Sequence, residues 1–516
     1  MVLVYILFSA AASLAAVVPL SARTEAVFDV KEVAMKTSPL DKQLISLSVE
    51  FGNAVDFFGD AGKPNLFSKR LLQNVVDRSY APTILRIGGN TQDRAEFCAT
   101  CNKTFETIVQ DDPDDPKGSE AVKVTFNPRF FDVLTYNVPA GSPIIFGLNY
   151  RNDSLELAEA EIGAAFEYLD QSLVMAYELG NEPNLYGDYR PPTYGVNEYA
   201  ADMRQWIPSL RALSPPGVHP RFQFPSFAGP QLFKPDMTIA NLVGLGVPQS
   251  IGIDYFSVHG YPYDICTPES AAQVDLRNFL DHNKTLSLIA SYGGEIAASR
   301  SQGKPLHMGE TGSVACHGKF GVSNTLGAAL WELDYALSGS TQGIDRFFFH
   351  MGKGDFYYSM WEPLPSERFP APHINPTYYT MLFAADLVSD LPAPQIAPLT
   401  ELDTTSTVHF AVYDGEELRK VVLLNLDFFN GTISANGTSA TDATRPARQF
   451  DMGAALGREL RVRRLTGDDS AATDGVTWAG QSINGDGAVV GELRVEKITD
   501  GVVTLLASEA VIVERG

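Results

Sequence analysis

The chain is short of positive charge, of cysteine and of long apolar runs, and each shortage narrows what it can be. Lysine and arginine total 39 of 516 residues against 62 aspartates and glutamates, a formal net charge of −23. So acidic a surface repels nucleic acid and anionic membranes, and an anionic ligand must find a local group of cations or amides. Four cysteines in a chain of this length cannot be its main support. Beyond residue 20, no apolar run reaches the roughly 20 residues that cross a bilayer. Eight histidines are scattered, and the nearest approach to a metal set, His259 with His307, falls inside strand-like repeats where a core histidine is commoner. No metal or other cofactor is implied. Ile87-Gly88-Gly89-Asn90 lacks the spacing and the following lysine of a phosphate-binding loop.

What is present is a hydrophobic fraction of 45%, enough for one large domain and a smaller one. Residues 2 to 20 are almost wholly apolar and are followed by Ser21 and Ala22. They read as a signal peptide over 1–22, cut near Ala22, rather than as a membrane anchor, although no lysine or arginine precedes the run. Sequons at Asn102, Asn152, Asn283, Asn430 and Asn436 fit the same route, so the expectation is a secreted, extracellular protein with no membrane attachment after cleavage. In an oxidising compartment the cysteines can form two disulfides, Cys98 with Cys101 and Cys266 with Cys316 being favoured. Cys98-x-x-Cys101 lacks the partner motif or βαβ setting of a zinc or thioredoxin-like site.

From about residue 40, short apolar or β-branched runs alternate with longer segments of helical period. The runs are Leu44–Glu50, Thr83–Ile87, Ile144–Asn149, Met175–Leu179, Arg221–Phe227, Tyr255–His259, Pro305–Gly309 and Asp345–His350. Helical patterns cover Leu66–Ser79, Leu155–Gln171, Asn197–Leu213, Ser323–Ser338 and Thr377–Val388. Eight strand–helix repeats predict an α/β fold, a (β/α)8 TIM barrel over residues 40–390. Its main insertion, Cys98–Glu120, carries a run of aspartates between Asp111 and Asp115; these lack the alternation and glycine of a calcium loop and read as solvated charge. After Leu391-Pro392-Ala393-Pro394 only short alternating runs remain: Val408–Tyr413, Lys420–Leu426, Leu460–Leu465, Val489–Val495, Val502–Ala507 and Val511–Glu514. They predict a C-terminal antiparallel β-sandwich over 391–516, into which the strand-like segment 23–39 is expected to pair.

Two glutamate motifs, Gly180-Asn181-Glu182-Pro183 and Gly309-Glu310-Thr311-Gly312, follow the fourth and seventh runs, 128 residues apart. In a closed parallel barrel both would open on the C-terminal face. Two facing carboxyls are the minimal equipment for cleaving a glycosidic bond, and Asn181 could donate to a sugar 2-hydroxyl. Asn-Glu-Pro alone is equally a turn after a strand; its recurrence with Gly-Glu-Thr-Gly three repeats later favours catalysis. An acid must hold its proton, so Glu182 is expected in the less polar setting, whereas a nucleophile must be ionised. Arg86 and Tyr261 are placed to hydrogen-bond Glu310, with a structural salt bridge and plain packing as the alternatives.

These motifs, together with Leu85-Arg86-Ile87-Gly88-Gly89-Asn90, Val258-His259-Gly260-Tyr261, His307-Met308-Gly309-Glu310-Thr311-Gly312-Ser313 and the trailing sandwich, resemble glycoside hydrolase family 79, which contains β-glucuronidases and heparanases. The resemblance covers nearly the whole chain. It implies that Glu182 is the acid/base, that Glu310 is the nucleophile, and that the loop from Ser313 to Lys319 holds a uronate carboxylate, partly through backbone amides. The loop departs from the tyrosine and glycines expected of heparanases: Ala315, Cys316 and His317 stand there, with His317 and Lys319 as sources of positive charge. The expected activity is a retaining exo-β-glucuronidase acting on glycans that end in glucuronic acid, with or without a 4-O-methyl group. A neutral-sugar β-glycosidase of the same clan, or a carbohydrate-binding protein on a retired scaffold, are the alternatives.

Overall fold

The computed structural model describes residues 24–27, 37–109, 120–229, 234–431 and 445–516. The signal segment, the aspartate run and Asn436 lie outside the described residues. Eight parallel strands close into a barrel: β1 (Ile45–Glu50), β2 (Leu85–Gly88), β3 (Ile144–Leu148), β4 (Val174–Leu179), β5 (Phe222–Ala228), β6 (Tyr255–Gly260), β7 (Leu306–Thr311) and β8 (Arg346–Met351). Neighbours in the sheet are neighbours in sequence, and β8 closes onto β1. Every residue of β1, β2, β3, β4 and β5 is buried, as expected where helices cover the outside and side chains fill the inside.

The helices follow the amphipathic runs. Leu66–Ser79 starts where the Asn65 side chain accepts from the amides of Phe67 and Ser68, and ends at Tyr80 in the left-handed conformation. Helices at Arg129–Tyr136, Ile239–Gly244, His282–Ser291 and Gly293–Ser301 were not read from the sequence. They are short, or their apolar positions are diluted by Gly, Ser and charged residues.

From Pro394 the described chain forms two main sheets and a two-stranded ribbon, Ser482–Ile483 with Val489–Val490. The larger runs in the order Ser38–Pro39, Pro394–Pro398, Thr407–Asp414, Glu417–Asn425, Glu509–Arg515, Leu460–Thr466, Thr477–Trp478. The smaller holds Thr24–Val27, Ala447–Asp451 and Val502–Leu506. Thr24–Val27 pairs parallel to Ala447–Asp451, so one edge departs from the antiparallel rule. The predicted strand Val489–Val495 is not formed as such: only Val489–Val490 and Glu496–Ile498 pair, in different sheets, and the residues between are mostly exposed. Its alternating pattern lacked a buried face to fix it. The inner faces meet in a core that includes Leu423, Phe450, Val462, Val503 and Val511.

Barrel and sandwich share a core. Phe383 lies 4.7 Å from the Trp478 ring, whose Nε1 donates to Asp386 Oδ2 at 2.6 Å. The Lys420 ammonium donates to the carbonyls of Asp386 and Leu387 and to Asp390 Oδ1. Disulfides join Cys98 to Cys101 and Cys266 to Cys316. Asn102, Asn152, Asn283 and Asn430 are exposed. No helix among the described residues is long and apolar enough to cross a membrane.

Candidate active site

Local backbone geometry aims the two glutamates. After β4, Gly180 turns the chain at φ 80°; a Cβ there would stand 2.6 Å from Tyr186 Oη and 2.9 Å from Tyr150 Cβ. Glu182 then adopts the left-handed conformation, φ 52° and ψ 54°. That costs a non-glycine residue about 1–3 kcal/mol and collects at functional sites. Main-chain bonds from Glu182 N to Ser226 O (3.1 Å) and from Leu185 N to Glu182 O (2.8 Å) hold it. Glu310 lies inside β7. The register against β6 skips from Val258↔Met308 to His259↔Glu310, so Gly309 is an extra residue that re-aims the next side chain. A Cβ at Gly309 would meet Ser257 Oγ at 2.1 Å.

The result is a tight cluster in which Glu182, His259 and Glu310 each bring one polar atom within 4.8 Å of the others. His259 Nδ1 lies 3.1 Å from Glu182 Oε1. His259 is therefore a partner of Glu182, not the core histidine its strand position suggested. His307, one strand on, is the core residue, bonded to Gln223 Oε1 at 2.7 Å, with burial pushing its pKa down. Three such atoms could hold an ion, but Arg86 sets a fixed cation against Glu310 that would repel another.

Arg86 organises the site from beneath. It is fully buried, and its five N–H groups all have partners. Nε and Nη2 donate to Glu178 Oε1 at 2.8 and 2.5 Å, Nη2 also to Asn181 Oδ1 at 2.8 Å, and Nη1 to Ser48 Oγ at 2.9 Å and Glu310 Oε2 at 2.6 Å. Tyr261 Oη donates to Glu310 Oε1 at 2.9 Å. His350, which sequence reasoning passed over, stands 3.6 Å from Glu310 Oε2 with Ser48 Oγ at 2.9 Å and Glu50 Oε2 at 3.3 Å. Burial alone would raise the Glu310 pKa; the positive charges of His350, His259 and Arg86 outweigh it and bring it down to about 2. Conversely, burial would lower the His350 pKa, but Glu310 and Glu50 raise it. Burial and Glu310 together push the Tyr261 hydroxyl well above its ordinary range, so it stays a donor.

A second layer joins the rim. Asn181 Nδ2 donates to Asn90 Oδ1 at 3.2 Å, and Asn90 Nδ2 to Glu120 Oε1 at 2.9 Å. Glu120, on the insertion after β2, also meets His317 Nε2 at 3.2 Å; burial would raise its pKa, but His317 and Arg94 lower it. The His317 ring stacks on Phe356 at 4.0 Å. Val314–Ala315 pairs with Tyr263–Asp264, and the disulfide fastens the next residue, Cys316, to Cys266. Cys316, His317 and Gly318 then take φ of 59°, 77° and 82°, three successive left-handed residues. The Lys319 ammonium is committed to the carbonyls of Ala271 and Val274, at 2.9 and 2.8 Å, and so holds the loop down instead of lending it charge. A cavity of about 430 Å3 lies elsewhere, between Pro372–Tyr379 and Thr473–Gly485, with Asp474 as its only carboxylate.

The chain as a whole is similar to known proteins. Residues 409–512 match the family model described as the glycosyl hydrolase family 79 C-terminal beta domain. A β-glucuronidase of Aspergillus niger is 29% identical over 511 residues, covering 92% of this chain and 89% of that protein. Residues 409–512 are thus those of a family 79 C-terminal beta domain, and the likeness to a β-glucuronidase runs over nearly the whole chain. A second β-glucuronidase, from Neurospora crassa, is 28% identical over 87% of this chain and 86% of its own. A crystal structure of a 4-O-α-L-rhamnosyl-β-D-glucuronidase from Fusarium oxysporum superposes with a TM-score of 0.77 at 25% identity, covering 93% of this chain and 98% of that one. A family 51 α-L-arabinofuranosidase of Bifidobacterium longum (TM-score 0.59, 14% identity, 93% of this chain and 97% of that one) shares the fold. The chain is thus a glycoside hydrolase with a TIM barrel and a β domain.

Proposed function

We propose that the protein is a secreted, retaining exo-β-glucuronidase in which Glu310 is the nucleophile and Glu182 the acid/base. The observation that carries this is the approach of the two glutamates within 4.8 Å, with Glu310 alone held by Arg86, Tyr261 and His350. Retaining enzymes keep their carboxyls about 5–5.5 Å apart, whereas inverting ones leave roughly 6.5–9.5 Å for a water. In the first step a Glu310 oxygen bonds the anomeric carbon as the bond to the leaving oxygen breaks, and Glu182 gives that oxygen its proton. In the second, Glu182 takes a proton from water, the water oxygen bonds the anomeric carbon, and Glu310 leaves as carboxylate. Asn181, held by Arg86 and Asn90, is set to meet the 2-hydroxyl.

Glucuronic acid as the sugar is supported by the activities named for the Aspergillus, Neurospora and Fusarium relatives. The loop through Ala315, Cys316 and His317, with positive φ at residues 316–318, is the candidate holder of its carboxylate through backbone amides. The Fusarium enzyme's name includes a substituent at C4, so a 4-O-capped glucuronic acid belongs in the substrate range to be tried. Secretion is supported by the apolar run at 2–20, by four exposed sequons and by two disulfides.

Turnover of 4-nitrophenyl β-D-glucuronide, its 4-O-methyl form and the matching β-glucoside tests the reading. The glucuronide should be hydrolysed with retained anomeric configuration, the glucoside poorly, and Glu310→Gln should abolish turnover. Preference for the glucoside would overturn the uronate assignment, and an inverted first product would overturn the double displacement.

A further inference from the structure

The loop that carries Glu182 ends seven residues later in an exposed aromatic side chain. Tyr189 closes the turn Gly187–Tyr189 and is 58% exposed. The Arg151 guanidinium, from the loop after β3, lies 4.2 Å from the centre of its ring, a cation–π contact that fixes the ring plane. Both residues are gripped from below by one buried side chain. Arg190 Nη1 donates to the carbonyls of Arg151 (2.7 Å) and Tyr189 (3.1 Å), and Nη2 to that of Tyr150 (2.7 Å), while the guanidinium lies 4.7 Å from the Tyr150 ring centre.

The pair is also tied to the reacting centre. Asp93 Oδ1 accepts from the amides of Tyr150 (3.0 Å) and Arg151 (3.2 Å), and Oδ2 from the amide of Asn181 (3.0 Å) and from Tyr186 Oη (2.5 Å). One buried carboxylate therefore sets Arg151 and the Asn181-Glu182 step side by side. A surface tyrosine ordinarily wanders among rotamers; this one is anchored through its own carbonyl, its ring and its neighbour. An acid/base hands its proton to the leaving oxygen, so the group attached to that oxygen must lie on the Glu182 side of the cleft. Tyr189 is carried by the same loop as Glu182, and the Arg151 main chain shares Asp93 with Asn181.

We infer that Tyr189, its inner face braced by Arg151, is the platform for the first sugar beyond the scissile bond, a pyranose that stacks its C–H face on the open face of the ring. This rests on the proposed β-glucuronidase role of Glu182 and names the leaving side of that same site. A small leaving group such as methanol cannot reach the ring, so the platform acts on glycan substrates alone.

The test measures kcat/KM of wild type, Tyr189→Ala and Tyr189→Phe on methyl β-D-glucuronide and on a β-glucuronosyl-galactose disaccharide. Tyr189→Ala should lower the ratio of disaccharide to methyl glucuronide about tenfold, and Tyr189→Phe should restore it. An unaltered ratio in Tyr189→Ala overturns the platform. If wild type cleaves neither substrate, the β-glucuronidase reading fails instead, and the platform is then read by saturation-transfer NMR with galactobiose. Signal in wild type that is lost in Tyr189→Ala supports it; equal signal in both, or none in either, overturns it.

Discussion

Arg86 is where charge, burial and chemistry meet. Arg86→Gln would strand Glu178 and Glu310 in a dry interior, and breaking a buried pair from one side costs about 3–5 kcal/mol. Expected outcomes are a marked loss of unfolding free energy by urea titration and a rise in the Glu310 pKa. Because the folded pKa of Glu310 lies below its ordinary value of 4.5, its contribution to stability is complete above that value and lost as pH falls toward about 2. The same depression keeps the nucleophile ionised, so the acid limb of kcat/KM assignable to Glu310 should lie near pH 2. His350→Gln removes the strongest of the lowering charges, and the limb should move upward; a limb that stays in place in a folded variant would refute this account. The sign for His350 is opposite: its raised pKa stabilises the fold at low pH, and that contribution fades as pH climbs through the raised value.

Glu182 and Glu310 were legible in the sequence because each sits in a local motif at a strand end. Arg86 and Tyr261 could be placed beside Glu310 by strand order alone. His350, Glu50, Glu178 and Glu120 could not, because their roles depend on which strands close on which: β8 returns to β1 and so brings His350 over Ser48 and Glu50. A faint signal existed, since Ser46, Ser48 and Glu50 alternate with apolar residues in β1 and point polar groups inward. Lys319 shows the converse failure, a cation whose carbonyl partners on another loop no local pattern reveals.

Among the elements, the loop from Ser313 to Lys319 depends most on its fastenings. The Cys266–Cys316 bridge closes 50 residues of chain, and cross-links of that span stabilise by about 2–4 kcal/mol. The double change Cys266→Ser with Cys316→Ser should loosen the three left-handed residues that follow Ala315. KM for an aryl glucuronide should then rise several-fold while kcat changes less, as steady-state kinetics would report; equal falls in both would mean that the loop acts on the transition state. The bulge in β7 is less forgiving. Gly309→Ala places a methyl on Ser257 Oγ and should cut kcat by two orders of magnitude or more, since about 1 Å of misplacement can cost a hundredfold.

For the molecule as a whole, the barrel and the sandwich read as separate patterns in the sequence, and their boundary falls where helical period ends. What the patterns did not reveal is how fully the two are welded. Trp478 enters the barrel's own core beside Phe383, and Asp386 receives Arg463 and Trp478 from one side and Arg78 from the other. Trp478→Ala should cost about 3–5 kcal/mol, the range for emptying a large core site. Differential scanning calorimetry of the native protein should show one transition; two well-separated peaks would mean that the halves melt independently.

The saturation of Arg86 bears on how the site meets an inhibitor. With each N–H already engaged, the guanidinium has no spare donor for an incoming molecule, and the nucleophile's negative charge is installed before anything docks. A basic iminosugar that mimics the flattened cationic ring would therefore find its counter-charge waiting across the whole range in which the protein is folded. Its grip should follow the iminosugar's own protonation and little else.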